Sequence, residues 1–213
     1  MKTYKIHLIR HGQTLANETG AYIGRTDLPL SPRGVTELLE MKKVYTYPYA
    51  SRFFTSPLTR CKQTLQVLYP GCKPTIVEGL AECDFGEWEN RRISELKNRE
   101  DFLQWMSGNK GASIPGGEDA AAFQHRVMTA FEGVVNELLH TGETEAVICT
   151  HGGVIMLIMA AYGLPRADMK HWVTNSGSGF TMRITPHIWT REPVAEALCA
   201  IPWREGENAD ADE

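Results

Sequence analysis

Two short apolar runs in this chain end alike. Residues Ile6-His7-Leu8-Ile9 give way to Arg10-His11-Gly12, and Ala146-Val147-Ile148-Cys149 give way to Thr150-His151-Gly152-Gly153. Short apolar runs closed by turn residues read as strands buried on both faces. A fold that satisfies both runs sets two strand ends side by side, so that two imidazoles and the Arg10 guanidinium face one pocket. A histidine where a strand yields to a loop, flanked by that guanidinium, suits attack on a phosphoryl group.

Strand-like runs recur at residues 4–9, 52–55, 75–77, 146–150 and 179–184, with helix-like patterns between several of them, which is the alternation of an α/β protein. Ser31-Pro32 predicts a helix start with a capping serine and proline in the first turn, leading into residues 35–44. Glu118-Asp119 open an amphipathic pattern that runs to about residue 140, and residues 154–161 read as a buried helix. The expected architecture is a three-layer sandwich, a mostly parallel central sheet flanked by helices. Between residues 88 and 117 the pattern turns charged and aromatic and closes on the turn sequence Ile114-Pro115-Gly116-Gly117, so a small helical lid insertion is expected there. Residues 1–203 are read as one domain carrying that insertion, and the acidic stretch 204–213 as a disordered tail.

At 213 residues the chain can bury a core without staples. Its five cysteines show no Cys-x-x-Cys spacing and an odd count, which fits free thiols and argues against a zinc site. Cys61 and Cys149 stand beside candidate site residues and are read as inert packing. The N-terminus lacks the apolar core of a signal peptide, and the most apolar stretch is too short for the roughly 20 residues a bilayer demands, so a cytoplasmic protein with no membrane partner is expected. A net charge of −4 without a Lys/Arg cluster argues against nucleic acid. Oligomeric state, homodimer included, is left open.

Phosphoryl transfer without a metal or other cofactor needs a nucleophile, fixed positive charge around the nonbridging oxygens, and an acid for the leaving oxygen. His11 is the candidate nucleophile, its second nitrogen donating to a backbone carbonyl to fix the tautomer. Arg10 and Arg60 offer planar donor forks, Arg60 at a strand end that becomes a helix start, Ser56-Pro57-Leu58-Thr59-Arg60-Cys61. His151 completes the ring. Glu82, beside apolar and aromatic residues, is the candidate general acid, although Asp84, Glu87 and Glu89 are its rivals by chemistry alone. His7 is read as structural, and His125, His140, His171 and His187 as surface residues. Trp88, Trp105 and Trp172 are read as buried against the insertion, and Asn175-Ser176-Gly177 as a loop with no P-loop lysine.

The motifs Leu8-Ile9-Arg10-His11-Gly12-Gln13-Thr14, Ser56 to Cys61 and Thr150 to Gly153 together resemble the histidine phosphatase superfamily, in its phosphoglycerate mutase-like branch, across most of residues 4–185. The resemblance implies that His11 becomes a phosphohistidine, that Arg10, Arg60, His151 and Gly152 bind the phosphate, that Glu82 donates the proton, and that Asn17 and Gly24 contact substrate. Family mutases are typically longer after the acidic motif, so the resemblance favours hydrolysis of a small phosphorylated metabolite. Phe85-Gly86-Glu87-Trp88-Glu89 with Pro115-Gly116-Gly117-Glu118 is most similar to alpha-ribazole phosphatases and broad-specificity phosphatases, where glycine usually stands in place of Asn90. Mutase-type phosphoryl transfer and a non-catalytic phosphate sensor are the alternatives.

Overall fold

The computed structural model describes residues 2–107 and 112–204. Among these, β1 (Tyr4–Arg10), β2 (Arg52–Thr55), β3 (Thr75–Ile76), β4 (Glu145–Thr150), β5 (Gly163–Leu164), β6 (Gly179–Ile184) and β7 (Ala195–Ile201) form one seven-stranded sheet in the order β3-β2-β4-β1-β6-β7-β5. The pairs β1·β4, β2·β4, β2·β3 and β5·β7 are parallel, and only β6 runs against its two neighbours. The mostly parallel sheet expected from the sequence is therefore present.

Helices cover both faces. Ile6 and Leu8 of the central β1 pack into a cluster with α6 (Ala120–Thr141) and α7 (Gly152–Tyr162), while Ile9, one pleat along, joins Leu38 of α2 (Pro32–Val44) and Leu65 of α3 (Thr59–Leu68) on the other face. Local signals set the helix ends. Ser31 Oγ accepts from Gly34 N at 2.9 Å ahead of Pro32, and Asp119 Oδ2 accepts from Ala121 N and Ala122 N at the start of α6. His7 serves structure, its ring nitrogens 2.9 Å from Thr181 Oγ1 and 3.0 Å from Glu145 Oε2. No helix among the described residues is long and apolar enough to cross a membrane.

Two strands escape the sequence reading. In β7, Ala-Glu-Ala-Leu-Cys-Ala-Ile is too rich in alanine to signal a strand, and its extended state comes from antiparallel pairing with β6. The two-residue β5 is in turn held by β7.

The segment expected as an insertion contains α4 (Ile93–Leu96) and α5 (Glu100–Met106), and residues 108–111 of it lie outside the described residues. Trp88, Leu96, Phe102 and Ile114 form its own small core with Cys83, and Trp105 packs on its flank. Trp172 does not belong there. It is buried in the main core and meets Phe180 edge-on, which corrects its expected place against the insertion. Residues 205–213 of the acidic tail are outside the described residues, while Arg204 lies over the Tyr45 ring.

Candidate active site

The β1·β4 register sets Arg10 opposite Thr150, and the next residue on each strand is a histidine. The His11 and His151 ring centroids stand 5.2 Å apart, and His11 N donates to Thr150 O at 3.0 Å. His11 Nδ1 lies 2.7 Å from Gly12 O. A carbonyl only accepts, so Nδ1 carries the proton and the Nε2 lone pair is left to the site. Arg60, in the first turn of α3 and buried, directs Nε at that lone pair from 3.3 Å. Its other two nitrogens donate to Thr26 O at 2.9 Å and Gly24 O at 2.7 Å.

His151 caps the start of α7, with Ser56 Oγ 2.7 Å from its Nε2. Arg10 Nη1 donates to Thr174 O at 2.6 Å, and Arg10 Nε is buried without a hydrogen-bond partner in the protein. Gly152 lies against that guanidinium, where a Cβ would sit 3.5 Å from Arg10 Nε.

Glu82 follows a 3₁₀ turn at Glu78–Leu80 rather than the strand itself. Its Oε1 accepts from Cys83 N and its Oε2 from Gly153 N, both at 3.0 Å. Its backbone is fixed from α6 by Arg126, which donates to the carbonyls of Gly79, Ala81 and Glu82 and pairs with Glu118 at 2.7 Å. The chain therefore brings Arg10, His11, Arg60, Glu82 and His151 to one place from four separate segments.

Burial governs the charges. Desolvation first, and then Arg60, push the His11 imidazole down to about 3, and burial with the neighbouring His11 and Arg60 takes His151 well below the usual histidine range. Both rings are neutral at neutral pH in the free protein. The Glu82 carboxyl moves up, because burial outweighs its two backbone bonds and the two arginines.

The rival carboxylates are occupied elsewhere. Glu89 is bound to backbone and Thr26, Asp84 accepts from Gly86 N at 2.9 Å, and the exposed Glu87 lies 3.7 Å from Arg99. Asn17 Oδ1 accepts from Thr14 N and Thr14 Oγ1 at 3.0 Å, closing a capping box on α1 (Leu15–Thr19). The same residue lines an open groove of about 990 Å³ with Arg10, Asn175 and Ser176. Gly24 gives its carbonyl to Arg60 and its amide to Glu89 at 2.9 Å, and a Cβ there would fall 1.7 Å from Cys83 O. Cys61 and Cys149 are buried free thiols, with Cys61 Sγ 3.6 Å from His151 Nε2. Burial lifts the Cys149 thiol well above its ordinary range.

Nothing in the sequence marks Ser56, Glu89 and Arg126 as supports of the site. Ser56 sits in a recognised motif without a role, Glu89 reads as a rival acid, and Arg126 lies in an unremarkable helical pattern. Asn90, where glycine is usual in similar proteins, has φ +63°. That left-handed conformation suits glycine best and asparagine next, so the turn is kept.

The sequence profile of the histidine phosphatase superfamily (branch 1) matches residues 6–194. The chain belongs to this superfamily, whose members are phosphatases and mutases. It is 30% identical to an adenosylcobalamin/alpha-ribazole phosphatase of Escherichia coli (strain K12), over 81% of this chain and 86% of that one. A probable phosphoglycerate mutase of Yersinia pestis is 29% identical over 76% of each chain. Among solved structures, the alpha-ribazole phosphatase from Shigella flexneri superposes with a TM-score of 0.74 at 25% identity, covering 94% of this chain and 96% of that one.

Proposed function

We propose that this chain is a metal-independent phosphomonoesterase that takes the phosphoryl group of a small phosphorylated metabolite onto His11 Nε2 and passes it to water. The observation that carries this is the 2.7 Å bond from His11 Nδ1 to Gly12 O, which leaves a neutral imidazole with its lone pair turned to Arg60.

In the first step Nε2 attacks phosphorus, the bond from phosphorus to the ester oxygen breaks, and the protonated Glu82 carboxyl gives its proton to that oxygen. Arg10 and Arg60 supply charge to the nonbridging oxygens, and Arg10 Nε, buried and unpartnered in the protein, has a donor to give. A phosphate dianion raises the proton affinity of His151, making it a further donor. In the second step water attacks phosphorus, the N–P bond breaks, and Glu82 takes the water's proton. Phosphate-monoester hydrolysis is accelerated by up to ~10²¹, and one general acid supplies only about 10² to 10⁴. The nucleophile and its cationic surroundings therefore carry most of the barrier reduction.

Similarity to alpha-ribazole phosphatases supports a nucleoside-type monoester such as alpha-ribazole phosphate as the substrate. The test is acid-quench trapping of an acid-labile phosphoenzyme together with His11→Ala. Turnover should fall by on the order of 10⁴-fold or more, and full turnover in that variant would overturn the proposal. Isomerisation of a phosphoglycerate faster than phosphate release would favour the mutase instead.

A further inference from the structure

The Glu89 carboxylate collects five hydrogen bonds and reaches no reacting group itself. Its Oε1 accepts from Gly24 N and Arg25 N at 2.9 Å and from Phe85 N at 3.1 Å, and its Oε2 accepts from Thr26 N at 3.3 Å and Thr26 Oγ1 at 2.6 Å. The segment it gathers, residues 24–26, presents the two carbonyls that receive Arg60 Nη2 and Nη1. A planar guanidinium fixed at two nitrogens has no freedom left in its third, so Arg60 Nε must point where it does, at His11 Nε2.

We propose that Glu89 is a positioning residue for the phosphoryl step, aiming Arg60 at His11 by holding the backbone of residues 24–26. This rests on the assignment of His11 as nucleophile.

Glu89 is itself anchored from outside the phosphate pocket. Trp88, one residue earlier, is fully buried, with Phe102 at 5.2 Å and Trp105 at 5.6 Å between ring centroids. One residue later, Asn90 N donates to Tyr22 O at 2.9 Å. On the far side of the gathered loop, Asp27 accepts from Thr59 N and Thr59 Oγ1 at 2.7 Å, fastening it to the start of the helix that carries Arg60. Burial opposes ionisation of Glu89, yet the bonds from Thr26, Phe85, Gly24 and Arg25 prevail and hold the carboxyl below its ordinary range, so it keeps the charge these donors need.

The experiment is a double-mutant cycle of Glu89→Gln and Arg60→Ala, read by kcat for p-nitrophenyl phosphate and by orthovanadate affinity. In the wild-type background Glu89→Gln should lower kcat about 10- to 100-fold, and in the Arg60→Ala background less than about 2-fold, because residues that act through one another are not additive. Vanadate affinity should follow the same pattern without any turnover. Thr26→Val removes only one of the five bonds and should give a smaller loss with the same dependence on Arg60, so the cycle can be completed with it if Glu89→Gln does not fold. An undiminished loss in the Arg60→Ala background, or a folded Glu89→Gln enzyme with unchanged kcat and vanadate affinity, would overturn the proposal. Retained turnover in His11→Ala would instead remove the nucleophile assignment, a separate result.

Discussion

Arg60 Nε donates to His11 Nε2 across 3.3 Å, while the opposite nitrogen of the same ring donates to the Gly12 carbonyl. The imidazole is thus held at both nitrogens, and the guanidinium that faces the lone pair also makes protonation of that lone pair costly.

Stability should fall as the solution is acidified. The His11 imidazole moves from 6.5 to about 3 on folding, so above pH 6.5 neither folded nor unfolded chain protonates it and its contribution is complete. Below 6.5 the unfolded chain takes up the proton and the folded one does not, so stability is lost progressively down to about pH 3, and His151 acts in the same direction. Glu82 has the opposite sign, contributing below its ordinary 4.5 and losing that contribution as pH rises through its raised folded value. Guanidinium midpoints measured between pH 7 and 4.5 should decline, with a shallower slope in His11→Asn. An identical slope in that variant would rule this account out.

Glu82→Gln should separate substrates by leaving group. With an alkyl phosphate the lost proton should cost about 10² to 10⁴ in kcat, whereas p-nitrophenyl phosphate, whose leaving oxygen needs no acid, should retain most of its rate. A uniform loss across a series of phenyl and alkyl phosphates would reassign the acid.

Ser56→Ala removes the hydroxyl 2.7 Å from His151 Nε2 and leaves that buried ring nitrogen with the Cys61 thiol at 3.6 Å. An unmet buried group costs about 1–3 kcal/mol. Orthovanadate affinity, measured by competitive inhibition, should weaken by about 10-fold, and Ser56→Thr should restore it.

Asn90 tests the backbone rather than the chemistry. Asn90→Ala forces a Cβ without a local hydrogen-bonding side chain into φ +63° and should cost about 1–2 kcal/mol in urea denaturation. Asn90→Gly should cost nothing measurable or stabilise slightly.

Of the groups proposed for the chemistry, Arg10, His11, Arg60 and His151 are legible in sequence because each sits at a punctuated strand end or helix start, whereas Glu82 is separated from its rivals only by the family resemblance. His11 and His151 follow apolar runs and precede glycines, and Arg60 opens a helix after Ser-Pro. Even a backbone carbonyl partner for His11 follows from the need to fix a tautomer, and the structure supplies it as Gly12 O. The supports are not legible, because nothing local distinguishes them. Arg126 reaches the Glu82 carbonyl across 44 residues of sequence from the middle of an ordinary amphipathic pattern. Glu89 carries the same carboxylate as Glu82, and only folding shows that one turns to backbone amides around Thr26 and the other to Gly153. Strand β7 is hidden for a related reason, its alanines extended by a neighbour rather than by their own preference.

The pairing of Arg10 with Thr150 across β1 and β4 has a consequence for how such an enzyme can be altered. The two imidazoles leave the sheet one strand spacing apart, a distance of about 4.8 Å that every parallel pair shares, so their separation is a property of the backbone and survives any change in the periphery. The aromatic segment is joined to that centre through Trp88 and Glu89, with Phe102 and Trp105 packed on Trp88. Exchanging the exposed Leu103 and Met106 for those of a relative, while keeping Trp88, Glu89, Asn90, Phe102 and Trp105, should therefore leave kcat for p-nitrophenyl phosphate as it was. The natural seam for re-engineering this protein runs around the Trp88, Phe102 and Trp105 contact rather than through it.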